Sequence, residues 1–264
     1  MAVILGGNDT LPQITLTQSQ TFVPPQDGNV CIHVIGAGGG GQADVNALSG
    51  GGAGGYTKKN SLAVTTGGSF TVVVGVGGAG GVNANGATGG NSTVAGTGLG
   101  STLTANGGNG GNVNSSTGGL ASNGDVDNRG GTGGGNGGGG AVGIYAAGEN
   151  AGTIHGGRTD AMGDGMAQSG YGFIVGGPKT NNMRQVYAQN GNAYGDVVAG
   201  HGGALCGGGA LNFIASGVGN NTAFGGAGGI GGGGGGCRVA GSGNGFATGG
   251  SGGDGIVLIQ YLPS

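Results

Sequence analysis

The chain has 264 residues, enough for one or two domains with a core, yet 81 of them are glycine and only 6% are charged; average usage is about 7% glycine and about a quarter charged. A formal net charge of -3 with 7 Lys and Arg leaves no basic footprint for nucleic acid, and 35% hydrophobic residues make the chain too apolar and too weakly charged to stay open as a disordered tail. Collagen is excluded as well, because glycine comes in clumps such as Gly231 to Gly236 instead of at every third position, and there are only 5 Pro.

At the start, Met1 to Leu5 lacks the basic segment of a secretory leader, and no apolar stretch anywhere approaches the roughly 20 residues of a transmembrane helix. A protein that does not span a membrane is expected. Ile14-Thr15-Leu16-Thr17 alternates as a half-buried strand does, and Val30-Cys31-Ile32-His33-Val34-Ile35 is a strong apolar run; Pro24-Pro25 and Asp27-Gly28 between them signal a turn. Further strand signals follow at Tyr56 and at Ser69 to Val76, and a last one at Ile256 to Tyr261. These predict a small β-sandwich-like domain over residues 1–120, completed by a returning strand at 254–262. No segment shows a helical period beyond a turn or two, so almost no α-helix is expected.

Residues 121–253 alternate glycine blocks with more varied segments of free length. Ordering glycine costs more backbone entropy than ordering any other residue, so such blocks make sense where side chains must be absent. Threefold helices of the polyproline II type rise about 3.1 Å per residue and make no internal hydrogen bonds, which leaves every N–H and C=O to be paired laterally. Without Cβ atoms they can approach on all sides and add Cα–H···O contacts. The expected fold is therefore all-β and irregular: a sandwich-like domain plus a glycine-rich sandwich of packed polyglycine II helices. A non-glycine intruder such as Asn136 or Ile230 must face out or occupy an edge.

Motifs for chemistry are weak. Gly36-Ala37-Gly38-Gly39-Gly40-Gly41 satisfies G-x-G-x-x-G but leads into more glycine, with no helix and no acidic residue about 20 positions on. In Gly176-Gly177-Pro178-Lys179-Thr180 a proline stands where a P-loop has glycine before Lys179. Gly249 to Val257 fits one calcium-roll nonapeptide, but calcium there is held between successive turns and a single copy supplies none; Asp125 and Asp127 begin an EF-hand spacing that Arg129 breaks. His33, His155 and His201 are scattered, Cys31, Cys206 and Cys237 form no CxxC pair, and no G-x-S-x-G elbow or carboxylate pair occurs. No metal, no cofactor and no catalytic residue is expected, and the thiols read as reduced and buried.

The positive signal is aromatic. Tyr145, Tyr171, Phe173, Tyr187, Tyr194, Phe213, Phe224 and Phe246 lie between the glycine blocks, among Asn, Ser and Gly, as in adaptable contact surfaces on rigid supports. The segment Lys179 to Val198, with Met183, Arg184, Tyr187 and Tyr194, is the richest. The candidate binding residues are thus Tyr145, Tyr171, Phe173, Met183, Arg184, Tyr187, Tyr194, Phe213 and Phe246.

Glycine-rich motifs alternating with varied segments, the entry Val34-Ile35-Gly36-Ala37-Gly38-Gly39-Gly40 and the closing Gly253-Asp254-Gly255-Ile256-Val257-Leu258 resemble the adhesins at the distal tip of long tail fibres in T-even-type bacteriophages of Salmonella and Escherichia. The resemblance implies a non-enzymatic virion protein at the fibre tip. It implies that the strand domain docks on the trimeric distal fibre protein, with Ile14, Leu16, Phe22 and Val23 as attachment residues. It also implies that the loops meet a host outer-membrane protein, or lipopolysaccharide. A purely structural glycine-rich fibre protein and a lectin-like lipopolysaccharide binder are the competing readings.

Overall fold

The computed structural model describes residues 3–4, 13–44, 49–112, 116–134, 138–140, 147–148, 150, 184–188, 197–198, 211–215, 222–240 and 246–263. Among these there is no α-helix. In chain order the strands are β1 (Val3–Ile4), β2 (Gln13–Leu16), β3 (Gln20–Phe22), β4 (Gly28–Ile35), β5 (Ala43–Asp44), β6 (Tyr56–Val64), β7 (Phe70–Val73), β8 (Ser92–Gly96), β9 (Leu103–Ala105), β10 (Ala121–Ser122) and β11 (Val126–Asn128). They continue as β12 (Arg184–Ala188), β13 (Val197–Val198), β14 (Leu211–Ala215), β15 (Thr222–Phe224), β16 (Cys237–Ala240), β17 (Phe246–Thr248) and β18 (Ile256–Tyr261).

Two antiparallel sheets, ordered β1-β2-β18-β4-β6-β11 and β10-β9-β8-β7-β3, face each other across one apolar core. The alternation in β2 turns Ile14 and Leu16 inward, and β7 alternates likewise with Phe70 and Val72 inside. Val30, Ile32 and Val34 of β4 meet Val257, Ile259 and Tyr261 of β18, its antiparallel neighbour, with Leu103 and Val94 opposite. Each such side chain fully buried contributes about 1.5–3 kcal/mol. The strand expected to return from the end of the chain is β18, and it sits between β2 and β4. β4 and β18 are apolar on both faces because Ile35, Tyr56, Ile256 and Leu258 form a second small cluster, against which Val126 and Ile230 pack.

Each long sandwich strand runs directly into a glycine segment. The hydrogen bonds of residues 36–43 have a threefold rotation: the N–H groups of Gly36, Gly39 and Gln42 donate to Gly55, Gly52 and Ser49, those of Ala37, Gly40 and Ala43 to Gly90, Ala87 and Ala84, and those of Gly38 and Gly41 to Gly253 and Gly250. Every third residue thus addresses the same neighbour, which is the signature of a threefold extended helix. The carbonyls of the same segment accept from three further chains, through Gly108 and Gly111, Gly78 and Gly81, and Gly234. Residues 36–43 therefore lie at the centre of a hexagonal polyglycine lattice, in which backbone pairing replaces side-chain packing. The lattice draws on both sides of the division expected at residue 120, because segments 49–55, 75–90 and 106–111 are as much part of it as 130–134, 138–140, 225–236 and 249–255.

Glycine content follows position. The inner helices 36–41, 49–55 and 231–236 are buried along their whole length and carry no side chain larger than a methyl beyond Ser49 at one end. A Cβ at Gly40 or Gly233 would strike the carbonyl of Ala79 or of Gly51, which are backbone and cannot rotate away. Around them, outer helices read Gly-Gly-x, with Ala87 in place of one glycine. The third positions are Val76, Ala79 and Val82; Asn85, Thr88 and Asn91; Asn106, Asn109 and Asn112; Thr117 and Leu120; Arg129 and Thr132; Ala227 and Ile230; and Thr248, Ser251 and Asp254, all of them exposed or half-buried. Several of these side chains hem the edge, as where Asn91 Oδ1 accepts the Gly107 N–H (2.9 Å), Asp254 Oδ1 accepts the Gly77 N–H (2.7 Å) and Asn109 Nδ2 donates to Thr117 Oγ1 (2.9 Å). Ile230 takes the expected edge position, in a turn closed by the Gly232 N–H on Gly229 O (2.7 Å) with Gly231 left-handed at φ 67. Asn136 lies outside the described residues.

Candidate functional site

The lattice has two unlike ends. At one, Gly36 bonds Gly55 and Gly231 bonds Asp254, next to the sandwich; at the other, Gln42 bonds Ser49, Ala43 bonds Ala84 and Cys237 bonds Gln42. At this far end the chain reverses by turns and by short parallel ladders. One sheet is ordered β12-β14-β16-β5 and the other β13-β15-β17, all in parallel register. The pairs β12 and β13, β14 and β15, and β16 and β17 thus each place one strand in either sheet, and β15 and β17 each lead into a glycine helix.

Among the candidate residues, Arg184 and Tyr187 lie on β12 and Phe213 on β14, with Arg184 opposite Leu211, Tyr187 opposite Ile214 and Phe213 between Val186 and Val239. Phe246 begins β17 opposite Thr222 and is 56% exposed. The structure thus gathers Arg184, Tyr187, Phe213 and Phe246 on the two ladders at one end of the lattice. Tyr145, Tyr171, Phe173, Met183 and Tyr194 lie outside the described residues. Of the attachment residues, Ile14, Leu16 and Phe22 fill the sandwich core, so their side chains are not presented to a partner; Val23 is exposed. Strand alternation identified the right positions, but the alternating set is the one that meets the facing sheet.

The rim has a second component, the turn between Gly81 and Gly86. Val82 forms an antiparallel bridge with Thr248, the Asn83 N–H donates to Ala247 O (3.1 Å), and the Ala247 N–H returns to Asn83 Oδ1 (3.3 Å). Asn83 adopts a left-handed φ of 46, a conformation asparagine tolerates better than most side chains. This reciprocal clamp fixes the turn to β17 and leaves Val82 as exposed as Phe246. Behind it, Gln42 is buried and spends its Nε2 on Asn85 Oδ1 (3.1 Å), while its Oε1 has no partner among the described residues. The signal for these residues is the interruption Val82-Asn83-Ala84-Asn85 between glycine runs, which lies within the strand-rich residues 1–120.

Ionisable chemistry is sparse and walled off. His33 Nδ1 lies 2.8 Å from Tyr56 Oη and its Nε2 lies 3.3 Å from Cys31 Sγ, a trio that ties β4 to β6 beneath the lattice. Burial, helped by the Lys58 ammonium, brings His33 down to about 4, and burial raises the Cys31 thiol, so both stay uncharged near neutrality. Cys237, buried at the far end, is pushed up to about 12 by its burial. At the sandwich surface Asp125 pairs with Lys59 (2.7 Å) and accepts the Asn60 N–H, and both interactions lower its carboxyl. Among the described residues no cluster of His, Cys, Asp and Glu is arranged to hold a metal, and no helix is long and apolar enough to cross a membrane.

No curated protein matches the chain. A family model described as a glycine-rich domain matches residues 15–262, spanning both the sandwich and the lattice, and the chain belongs to that glycine-rich domain family.

Proposed function

We propose that this protein is a non-enzymatic adhesin at the tip of a bacteriophage long tail fibre, and that it recognises a host outer-membrane protein through the loops at the far end of the glycine lattice. The observation that carries the reading is the polarity of the fold. Backbone-paired helices hold one rim rigidly away from the sandwich, and that rim combines the exposed Phe246 and Val82 with a clamped turn. Aromatic and amide side chains on a rigid support make a contact surface at low entropic cost. In this reading the opposite, sandwich end docks on the trimeric fibre protein and the chain is a virion component; the exposed Val23 beside that end supports it.

The test is a pull-down of the purified chain on intact Gram-negative cells, against a panel of strains lacking single porins or lipopolysaccharide sugars. Loss of binding with one porin deletion is the expected result and names the receptor. Binding that follows only the sugars replaces this reading with a lectin-like one. A folded sample that binds no strain leaves a structural glycine-rich fibre protein.

A further inference from the structure

A glycine lattice has no natural boundary, since any outer helix that offers backbone groups without a Cβ can accept another. Helix 75–82 is such an outer helix. It is fixed on one side by Gly249 and Gly252, whose N–H groups donate to Gly81 O (2.8 Å) and Gly78 O (2.9 Å), and on the other by the Ala87 N–H on Ala79 O (2.9 Å). Its remaining side faces solvent. There the N–H groups of Val76 and Ala79 have no acceptor among the described residues, so donors recur at third positions, about 9 Å apart on a threefold helix. The side chains at these positions are Val76, 72% exposed, Ala79, also exposed, and Val82, 59% exposed.

We infer that Val76, Ala79 and Val82 end the lattice on this flank, and that the backbone they cover is a latent docking surface for the same flank of a second copy of this chain. Exposed valines cost something in water, and nothing in the lattice needs them: the neighbouring Gly77, Gly78, Gly80 and Gly81 make the inward contacts. What they do is hold a Cβ and its methyls where the next helix would lie. Interior packing leaves room for at most a lone methyl, as at Ala37 and Ala53, and in the all-glycine helix 231–236 for none. With glycine at the three positions, residues 75–82 would become an uninterrupted glycine run like 231–236. Two copies related by a two-fold axis would then meet antiparallel, the orientation in which 36–43 already pairs with 49–55. The three residues thus play for a glycine lattice the part that charged or bulged edge strands play for a sheet.

Sedimentation velocity of the full chain over a wide concentration range tests this with V76G/A79G/V82G and, in parallel, V76S/A79S/V82S, which removes the apolar surface but keeps each Cβ. The glycine triple is expected to rise with concentration to about twice the wild-type mass, while the serine triple sediments as wild type does. Because Val76 and Val82 are mostly exposed, the variants should retain the wild-type far-UV spectrum. A folded glycine triple that sediments as wild type at all concentrations overturns the inference, as does equal association by the serine triple. Should the glycine triple unfold, Val76→Gly alone carries the test: its mass must exceed that of Val76→Ser at the highest concentration, and equality refutes the role.

Discussion

Gly233 offers the sharpest test of backbone-only packing. It lies in the buried helix 231–236, its N–H donates to Gly139 O (2.9 Å), and a Cβ there would collide with the Gly51 carbonyl and come within 3.0 Å of the Gly139 nitrogen. Neither obstacle is a side chain that can change rotamer. The helix must withdraw, which opens the bonds from Gly233 to Gly139, from Gly139 to Gly51 and from Gly51 to Gly234. At about 1–2 kcal/mol for each of these three buried bonds weakened, Gly233→Ala should cost about 3–6 kcal/mol, a large share of the roughly 5–15 kcal/mol that holds most domains folded. Gly233→Val should cost at least as much. Ser251→Ala is the matched control, since Ser251 occupies an exposed third position of an outer helix and should change stability by less than about 0.5 kcal/mol. Urea unfolding followed by far-UV circular dichroism compares the two. If Gly233→Ala unfolds at the wild-type midpoint, the lattice does not depend on close backbone approach and the account given for these glycines is wrong.

Three other outcomes follow from the same structure. His33 is neutral in the folded protein down to about 4, whereas the unfolded chain takes up that proton near pH 6.5. Stability contributed by the neutral imidazole is therefore complete above pH 6.5 and is lost as pH falls toward 4, by up to about 3 kcal/mol; melting curves over this range should slope, and His33→Phe should flatten them. Phe246→Ala should weaken binding to whole cells by about tenfold or more if the ring is a recognition anchor, with no change in melting temperature because the ring is exposed; undiminished binding would move recognition to other loops. In a Cys206→Ser background, iodoacetamide at pH 8 should label neither Cys31 nor Cys237 until the protein is unfolded, since both thiols are buried and protonated; rapid native labelling would show that the lattice opens locally.

The sandwich was legible because a two-residue period and apolar runs state which residues face inward: Ile14 and Leu16, Val30 to Ile35 and Ile256 to Tyr261 all lie where their patterns put them. What those patterns do not carry is the partner: of the residues expected at a docking face, Ile14, Leu16 and Phe22 pack in the core between the sheets, while Val23 is exposed. The glycine lattice was legible as a material but not as an arrangement. Its rule is local, Gly-Gly-x on the outside and glycine or alanine within, and a search for a long repeat passes over a three-residue one. The apparent disorder of the glycine clumps comes from mixing the two kinds of helix: 75–82 and 106–112 keep strict spacing, whereas 231–236 has no reason to. At the rim, Phe246 was signalled by its aromatic character, while Val82 and Asn83 depend on a contact across 164 residues of sequence that no local pattern encodes.

The lattice also sets how stability responds to temperature. Unfolding an ordinary domain exposes mainly apolar surface, which raises heat capacity, while exposing peptide groups lowers it. Here a large part of what folding removes from water is peptide, paired from Gly36 to Gly41 and from Gly231 to Gly236 with hardly a methyl between them. The heat-capacity increment per residue should accordingly fall below the usual value of about 12–15 cal/mol/K, and the stability curve should be broad and shallow. A protein held together in this way keeps nearly the same stability in cold water as in warm, because the force that fades on cooling is one it scarcely uses outside its sandwich.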